Sequence, residues 1–314
     1  MDEISHTFRA MNTAVLVAVV AATGEAERAR GAAADVEALF RAGESALSRF
    51  DPASELSALN RAAGRPFRAS PRLFAVVEAA LASAAATEGL FDPTILHALV
   101  GAGYDRSFEH LAAGAAPVAA TGPGRGGGWR EVRLDRQRRT IALPAGIGLD
   151  LGGIGKGWTV DAVVALLRRR GFASFAVDAG GDLFAAGVQA DGSPWTVGVA
   201  DPADPRRDLL TLAVRDRAVA TSTRVHRRWR QGTAERHHLI DPRTGLPAAT
   251  AVLSATVIAS SVARAETLTK AAFLLGPDAG VRWLDLHPDA AGLLVLDDGT
   301  LRPSSTLLEG CNAA

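Results

Sequence analysis

The chain is organised around the glycine-rich segment Leu149-Asp150-Leu151-Gly152-Gly153-Ile154-Gly155-Lys156-Gly157-Trp158-Thr159-Val160-Asp161. Its glycines let backbone N–H groups approach a ligand closely, and Lys156 places one ammonium group among them. Beyond it, apolar residues recur at the spacing of one helix face until three arginines and Gly171 end the pattern. The glycine-rich segment therefore precedes a predicted helix, where unpaired N–H groups favour a phosphate.

Two familiar phosphate-binding loops do not fit this segment. A P-loop requires Ser or Thr after the lysine, where this chain has Gly157, and the dinucleotide fingerprint Gly-x-Gly-x-x-Gly is replaced by Gly153-x-Gly155-x-Gly157. A tight turn with an incidental lysine is the structural alternative. Composition favours a binding loop, because the 34 basic residues include only two lysines, Lys156 and Lys270. An ammonium is more compact than a guanidinium, so a site that needs a point charge favours lysine.

Length and charge narrow the class of protein. The 314 residues suffice for one large domain or two small ones. Acidic and basic residues balance at 34 each, which argues against nucleic acid or an anionic membrane as principal partner. Cys311 is the lone cysteine, and Met1–Ile4 lacks the basic start of a secretory signal. No stretch reaches the roughly 20 apolar residues of a membrane span. We predict a cytoplasmic protein with a small-molecule site.

The order of secondary-structure patterns predicts an α+β fold. Short strands with turn residues between them follow one another from Phe172 to Thr221, and the helices are segregated from them. The glycine-rich Gly122–Gly128 is flanked by short strands, so we interpret it as a loop within one domain over residues 1–314. The sheet is predicted to be largely antiparallel with flanking helices. Other predicted elements are a buried strand over Phe8–Val20, helices over Glu25–Ser48, Ser70–Thr87 and Ala263–Gly276, a strand over Ser254–Ala259 and a hairpin from Gly292 to Leu301.

Seven motifs are spread along nearly the whole chain. They are Phe8-Arg-Ala-Met-Asn-Thr13, Ser48-Arg-Phe-Asp-Pro52 with Ser54-Glu-Leu-Ser-Ala-Leu-Asn60, Gly89-Leu-Phe-Asp-Pro-Thr94, Asp150-Leu-Gly-Gly-Ile-Gly-Lys-Gly157 with Asp161, Val177-Asp-Ala-Gly-Gly-Asp182, Ala220-Thr-Ser222 and His238-Leu-Ile-Asp-Pro-Arg-Thr-Gly245. Each motif is weak alone. Because all seven motifs occur together and in this order, the chain resembles the ApbE family of FAD:protein FMN transferases.

The resemblance implies a substrate and a reaction. Such enzymes bind FAD and a divalent cation, usually magnesium, and transfer FMN to a Ser or Thr hydroxyl of an acceptor protein, releasing AMP; some members only hydrolyse FAD. This chemistry needs a neutralised pyrophosphate and a group that accepts the hydroxyl proton. Lys156 would face the pyrophosphate, and His238 would be the base or a phosphate contact. The implied flavin pocket is lined by Met11, Phe50, Asp92, Lys156, Asp161, Asp182, Ser222 and His238.

The chain departs from the family pattern at the implied metal site. The family has Ala-Asp-Ala-Leu-x-Thr, with the Asp and Thr as ligands, where this chain has Ala265-Glu-Thr-Leu-Thr-Lys270. Gly155 and Glu266 are then the implied metal positions, and a Glu can still reach a cation. The Lys270 ammonium only donates hydrogen bonds, so we expect it to take part of the cation's place, paired with Glu266. Asn12 and Thr223 also replace glycines and narrow the implied pocket.

Three readings follow. The first is a flavin transferase or FAD hydrolase of this family. The second is a binding protein that keeps the nucleotide pocket but has lost metal-assisted catalysis, with Lys270 in place of the metal. The third is a zinc hydrolase built on His226, His237 and His238, which the sequence disfavours because it has no His-x-x-x-His pair and no cysteine ligand set.

Overall fold

The computed structural model describes residues 1–111 and 126–312, with side chains to residue 309. Most of the predicted loop Gly122–Gly128 lies outside these residues. In the part of the chain that is described, no helix has the length and apolar composition needed to cross a bilayer. The α-helices there are α1 (Ala26–Leu47), α2 (Glu55–Arg61), α3 (Pro71–Ala86), α4 (Leu96–Gly101), α5 (Gly155–Arg169), α6 (Val262–Leu275), α7 (Pro277–Asp285) and α8 (Ser305–Asn312).

The strands belong to one large sheet and several small ones. They are β1 (Asp2–Ala10), β2 (Thr13–Ala21), β3 (Pro66–Arg68), β4 (Arg133–Asp135), β5 (Thr140–Ala142), β6 (Ser174–Ala179), β7 (Leu183–Ala186), β8 (Trp195–Ala200), β9 (Asp208–Val214), β10 (Arg217–Thr223), β11 (Arg228–Gln231), β12 (Ala234–His237), β13 (Ile240–Asp241), β14 (Leu246–Pro247), β15 (Val252–Ala259), β16 (Ala291–Leu296) and β17 (Leu301–Pro303).

The large sheet has eight strands in the order β1-β2-β6-β7-β10-β15-β16-β17. All of its pairings are antiparallel, and β2 joins the N-terminal hairpin to β6 with Val15 opposite Ala179. The predicted α+β class with an antiparallel sheet is therefore confirmed. The prediction for Phe172 to Thr221 is wrong in one detail, because β8 and β9 pair only with each other, as a separate ribbon.

The predicted strand Phe8–Val20 is wrong, because the chain turns back in its middle. Met11 and Asn12 lie between β1 and β2 with φ angles of 51° and 61°. Two consecutive residues in the left-handed region make the tight hairpin turn that matches the twist of antiparallel strands, and asparagine tolerates that conformation. The turn brings Met11 to the end of the sheet, where the cavity described below lies.

Helices cover one face of the large sheet and smaller elements cover the other. Helices α1, α5, α6 and α7 pack on one face around fully buried residues such as Phe40, Phe175 and Phe273. The β8–β9 ribbon and α8 cover the opposite face through Trp195 and Leu307. A second core lies between α2, α3 and the small β3-β5-β4 sheet.

The close approach of α5 and α6 depends on Gly157. Helix α5 begins at Gly155, so Lys156 and Gly157 lie in its first turn and not in the loop before it, as the sequence had suggested. A Cβ on Gly157 would lie 2.9 Å from the backbone of Val262 and 2.8 Å from Oε2 of Glu266. Only glycine allows α6 to come so near.

We predict that Gly157→Ala destabilises the protein. The added methyl group must push α6 away from α5, which costs about 1–3 kcal/mol of unfolding free energy, measured by urea denaturation. Gly31→Ala is the matched control, because Gly31 lies on α1 with nothing within 4 Å of its added Cβ. That change is expected to stabilise the protein by about 1 kcal/mol. Equal stabilities of the Gly157 variant and the natural protein would contradict this account of the helix contact.

Candidate active site

A cavity of about 340 Å³ opens where the end of α1, the glycine-rich turn before α5, the end of β10 and one side of α6 meet. Residues far apart in sequence converge on it, as a ligand site requires. The implied metal positions Gly155 and Glu266 are on its wall, together with Lys270. Seven of the eight residues predicted for the flavin pocket also line it: Met11, Phe50, Asp92, Lys156, Asp182, Ser222 and His238.

Asp161 is the predicted pocket residue that the structure places elsewhere. It is not part of the cavity wall; its Oδ1 accepts from the backbone N–H of Val262 at 2.8 Å, and its Oδ2 from that of Ala263 at 3.0 Å. Burial raises the pKa of this carboxyl to about 6. The structure thus places Asp161 outside the cavity wall, unlike the other predicted pocket residues. The residue fixes the start of α6, which carries Glu266 and Lys270.

Lys156 and Asp182 form a buried ion pair in the cavity wall. The Lys156 ammonium contacts Oδ2 of Asp182, and the two side chains are 14% and 5% exposed. Burial lowers the pKa of Lys156 to about 8, while the nearby Glu266 carboxylate acts in the opposite direction. Asp182 is presented by the turn between β6 and β7, where Gly180 and Gly181 have positive φ angles. The site thus holds a buried ammonium with a lowered pKa in the first turn of a helix.

Asp92 lines the cavity, but its oxygens are engaged by the protein. Its Oδ1 accepts from the backbone N–H of Thr94 at 2.7 Å and from the hydroxyl of the same residue at 2.6 Å. Its Oδ2 accepts from the backbone N–H of Gly127. Asp92 as a whole residue is 3% exposed. Asp92 therefore fixes the loops on this side of the cavity.

Arg49 is a cavity residue that sequence reasoning overlooked, although it stands beside Phe50 in a quoted motif. Its Nε donates to Oδ2 of Asp150 at 2.5 Å, and the two side chains are 6% and 12% exposed. Its guanidinium carbon lies 4.0 Å from the ring centre of Phe50 and 4.6 Å from that of Tyr104. Within the described residues, its Nη2 is buried without a hydrogen-bond partner. The pair ties the end of α1 to the glycine-rich segment, and the Arg49 guanidinium packs against the rings of Phe50 and Tyr104.

His238 lies on the cavity wall between β12 and β13. Burial lowers the pKa of its imidazole well below the usual value, and the positive charges of Arg227 and Lys270 lower it further. The ring is therefore neutral at pH 7, the form that accepts a proton. Its Nδ1 is buried without a hydrogen-bond partner in the described part of the chain.

The other two histidines of the zinc hydrolase hypothesis, His226 and His237, do not form a metal site with His238. His226 lines the cavity, but His237 does not, and its Nε2 lies 3.1 Å from the carbonyl oxygen of Ala248. Residues 1–111 and 126–312 contain no group of three His, Cys, Asp or Glu side chains placed to hold a metal ion. The zinc hydrolase reading thus has no support within these residues.

Helix α6 presents Glu266 and Lys270 to the cavity, one turn apart. Glu266 is 4% exposed at its side chain, and its Oε2 accepts from the backbone N–H of Gly157 at 3.0 Å. The Lys270 ammonium donates to the Glu266 carbonyl oxygen at 3.1 Å and lies 3.4 Å from Oε1. Burial lowers the pKa of Lys270, and Glu266 acts against that shift. Thr269 lies between these two residues in the sequence, and its hydroxyl oxygen is 2.7 Å from that of Ser222.

Comparisons with known proteins agree with one another. A sequence model described as the ApbE family matches residues 11–294. The chain is similar to the FAD:protein FMN transferase of Treponema pallidum, 32% identical over 294 residues that cover 88% of this chain and 80% of that protein. It is similar to the enzyme of the same name from Vibrio cholerae, 27% identical over 84% of this chain and 80% of that protein. The crystal structure of the ApbE protein of Thermotoga maritima matches with a TM-score of 0.85 at 26% identity, over 98% of this chain and 99% of that one.

We predict that Asp92→Ala destabilises the fold by about 2 kcal/mol or more, because three hydrogen bonds to a buried carboxylate are lost. Asp92→Asn keeps an acceptor for Thr94, so its free energy of unfolding is expected to lie between those of the natural protein and Asp92→Ala. Asp298→Ala is the control: its Oδ1 also accepts from a backbone N–H two residues on, that of Thr300, but in an exposed turn. Its effect on the urea midpoint should be clearly smaller. Equal changes of the urea midpoint in Asp92→Ala and Asp298→Ala would contradict this structural role of the buried Asp92 carboxylate.

Proposed function

The chain belongs to the ApbE family, and from that premise we propose that it transfers the FMN half of FAD to a Ser or Thr hydroxyl of an acceptor protein, releasing AMP. The observation that carries the proposal is the convergence of Lys156, Asp182 and His238, from three distant motifs, on one cavity. Relatives named FAD:protein FMN transferase support the same reaction.

The cavity residues have distinct roles in this proposal. Lys156 lies in the first turn of α5, where its ammonium and the helix N-terminus both favour an anionic pyrophosphate. Neutral His238 accepts the proton of the attacking hydroxyl. A new bond forms between that hydroxyl oxygen and the phosphorus of the FMN half, and the bond between this phosphorus and the bridging oxygen breaks. AMP leaves with the electron pair, and Lys156 stabilises the charge that develops. With water as acceptor, the same step is FAD hydrolysis.

The magnesium ion that the resemblance implies does not fit the residues present. Both carboxylate oxygens of Glu266 are engaged, one by the Gly157 N–H and the other by the Lys270 ammonium. Magnesium needs oxygen ligands in near-octahedral geometry, and an ammonium at the second ligand position offers none. Residues of the chain itself therefore carry each step of the proposed mechanism.

The catalytically impaired nucleotide-binding protein remains the second candidate. The observation behind it is Lys270, whose single positive charge would stand in place of the two charges of a magnesium ion. The names of the relatives do not favour it. The two candidates differ in one measurable property, which is the release of AMP from FAD.

We predict that the natural protein releases AMP from FAD and that His238→Gln lowers the rate by about 10²–10⁴-fold, the usual effect of removing a general base. AMP is measured by chromatography, and FAD affinity by quenching of flavin fluorescence. The Kd for FAD should change little. His237→Gln is the matched control, because its ring lies outside the cavity. No AMP release under any condition would refute the proposed transferase, and an unimpaired His238 variant would refute the base.

The protonation state of His238 sets the expected pH profile. Its pKa lies well below 6.5, so the neutral, active ring is lost only when the pH falls far below neutrality. The rate should therefore not drop between pH 7.5 and pH 6.5. A rate that falls through this range would mean that the base is a group with an ordinary histidine pKa.

We also predict that FAD affinity falls as the pH rises through about 8. Burial lowers the pKa of Lys156 to about 8. Above this pH the free protein loses the ammonium that faces the pyrophosphate, so affinity falls by up to about tenfold between pH 7 and pH 9. Lys156→Met should bind more weakly and lose this part of the pH dependence. Equal affinities of the natural protein at pH 7 and pH 9 would contradict the assignment.

A further inference from the structure

We propose that the Lys270 ammonium is a built-in cation that binds the pyrophosphate of FAD, so that this chain holds its nucleotide without a divalent metal ion. The inference rests on the proposed function, since it takes FAD as the ligand. It concerns how the charge of the ligand is neutralised, which the reaction itself does not specify.

The position of Lys270 is the first support. Its side chain is 18% exposed and lines the cavity, instead of extending into solvent from α6. Its Cε lies 3.0 Å from the position of a Cβ on Gly153, and Phe91 lies 3.1 Å from the same point. Any larger residue at position 153 would therefore press on the lysine. The glycine-rich turn is shaped to receive the Lys270 side chain as well as to approach a ligand.

The hydrogen-bonding capacity of Lys270 is the second support. An ammonium has three N–H donors. In the described part of the chain, both hydrogen bonds of Lys270 go to Glu266, at 3.1 Å and 3.4 Å. One donor is then left for a phosphate oxygen in the cavity. Glu266 holds the cation in place while its other oxygen accepts from Gly157.

The charges around the cavity are the third support. The two lysines of the chain, Lys156 and Lys270, both line this one cavity. Lys270 and Arg227 both act to lower the pKa of Lys156, and the Glu266 carboxylate acts to raise the pKa of both lysines. Arg49 and Arg227 stand on the same wall. Asp150, Asp182 and Glu266 pair with three of these four cations and hold them in place. A pyrophosphate entering the cavity would meet these fixed cationic donors, whereas a divalent metal ion beside Lys270 would be repelled by the ammonium.

The decisive experiment compares FAD with riboflavin, which carries no phosphate, in titrations followed by flavin fluorescence. Each titration is run once with excess EDTA and once with millimolar MgCl₂. For the natural protein, the Kd for FAD should be the same in both buffers. Lys270→Met should raise the Kd for FAD by about tenfold or more, the effect of losing one charge-assisted hydrogen bond. It should leave the Kd for riboflavin unchanged. If Lys270 had only a structural role, the same change would weaken the binding of both flavins.

Two further variants complete the test. Arg264→Met removes a positive charge from the same helix but outside the cavity, where Arg264 pairs with Asp289, and it should leave both affinities unchanged. The double change Glu266→Asp with Lys270→Thr removes the ammonium and supplies oxygen donors, so its FAD affinity should become dependent on MgCl₂. Thermal melting of each variant checks that it is folded.

The possible results separate the inference from the proposed function. FAD binding by the natural protein that requires MgCl₂ would overturn the inference, and so would a Lys270→Met variant that binds FAD normally or loses riboflavin equally. Failure of the natural protein to bind FAD in either buffer would overturn the proposed function itself, and this inference with it.

Discussion

The geometry of the site depends on a reciprocal exchange of hydrogen bonds between the N-terminal turns of α5 and α6. Asp161 on α5 accepts from two backbone N–H groups at the start of α6, while Glu266 on α6 accepts from the N–H of Gly157 at the start of α5. The N–H groups of a helix's first turn have no partner within the helix, so each carboxylate satisfies donors that would otherwise be buried unpaired. The exchange brings the N-terminus of α5 and the side of α6 that carries Glu266 and Lys270 to one cavity.

This arrangement explains why the site tolerates so many buried charges. Lys156 projects from the first turn of α5 to Asp182, and Lys270 projects from α6 to Glu266. Each buried ammonium thus has a carboxylate, as burial of charge demands. Arg49 has Asp150 in the same way. These pairs leave cationic donors along one wall, and an anionic ligand with several oxygens is the chemical partner such a wall can bind.

The sequence predicts the elements well where periodicity or a cap is local, and poorly where tertiary contacts decide. Helix α5 is predicted from its apolar spacing, but its start is missed because glycines carry no helix signal. The turn at Met11 and Asn12 is missed because β-branched residues follow it and make the whole segment look like one strand. Its signal is an asparagine where the chain must adopt a positive φ.

The same distinction between local sequence patterns and tertiary contacts applies to the candidate site. Motifs identify which residues are important, and seven of eight predicted residues line one cavity. A motif does not say where a side chain points, and Asp161 lies outside the cavity wall because its oxygens hold the start of α6. Arg49 was overlooked because its partners, Asp150 and Tyr104, are distant in sequence. The placement of both residues depends on contacts that only the assembled fold creates.

Glu266 and Lys270, the two positions on α6 that the sequence resemblance sets against an Asp and a Thr, are physically one feature. A lysine alone at position 270 would put an unpaired cation in a buried site, which is costly. A glutamate is one methylene longer than an aspartate, and at position 266 it accepts from Gly157 while still facing the Lys270 ammonium. Shortening it would leave one of these two donors without an acceptor. Glu266 and Lys270 are therefore expected to be interdependent, since each is stable in this position only because the other is present.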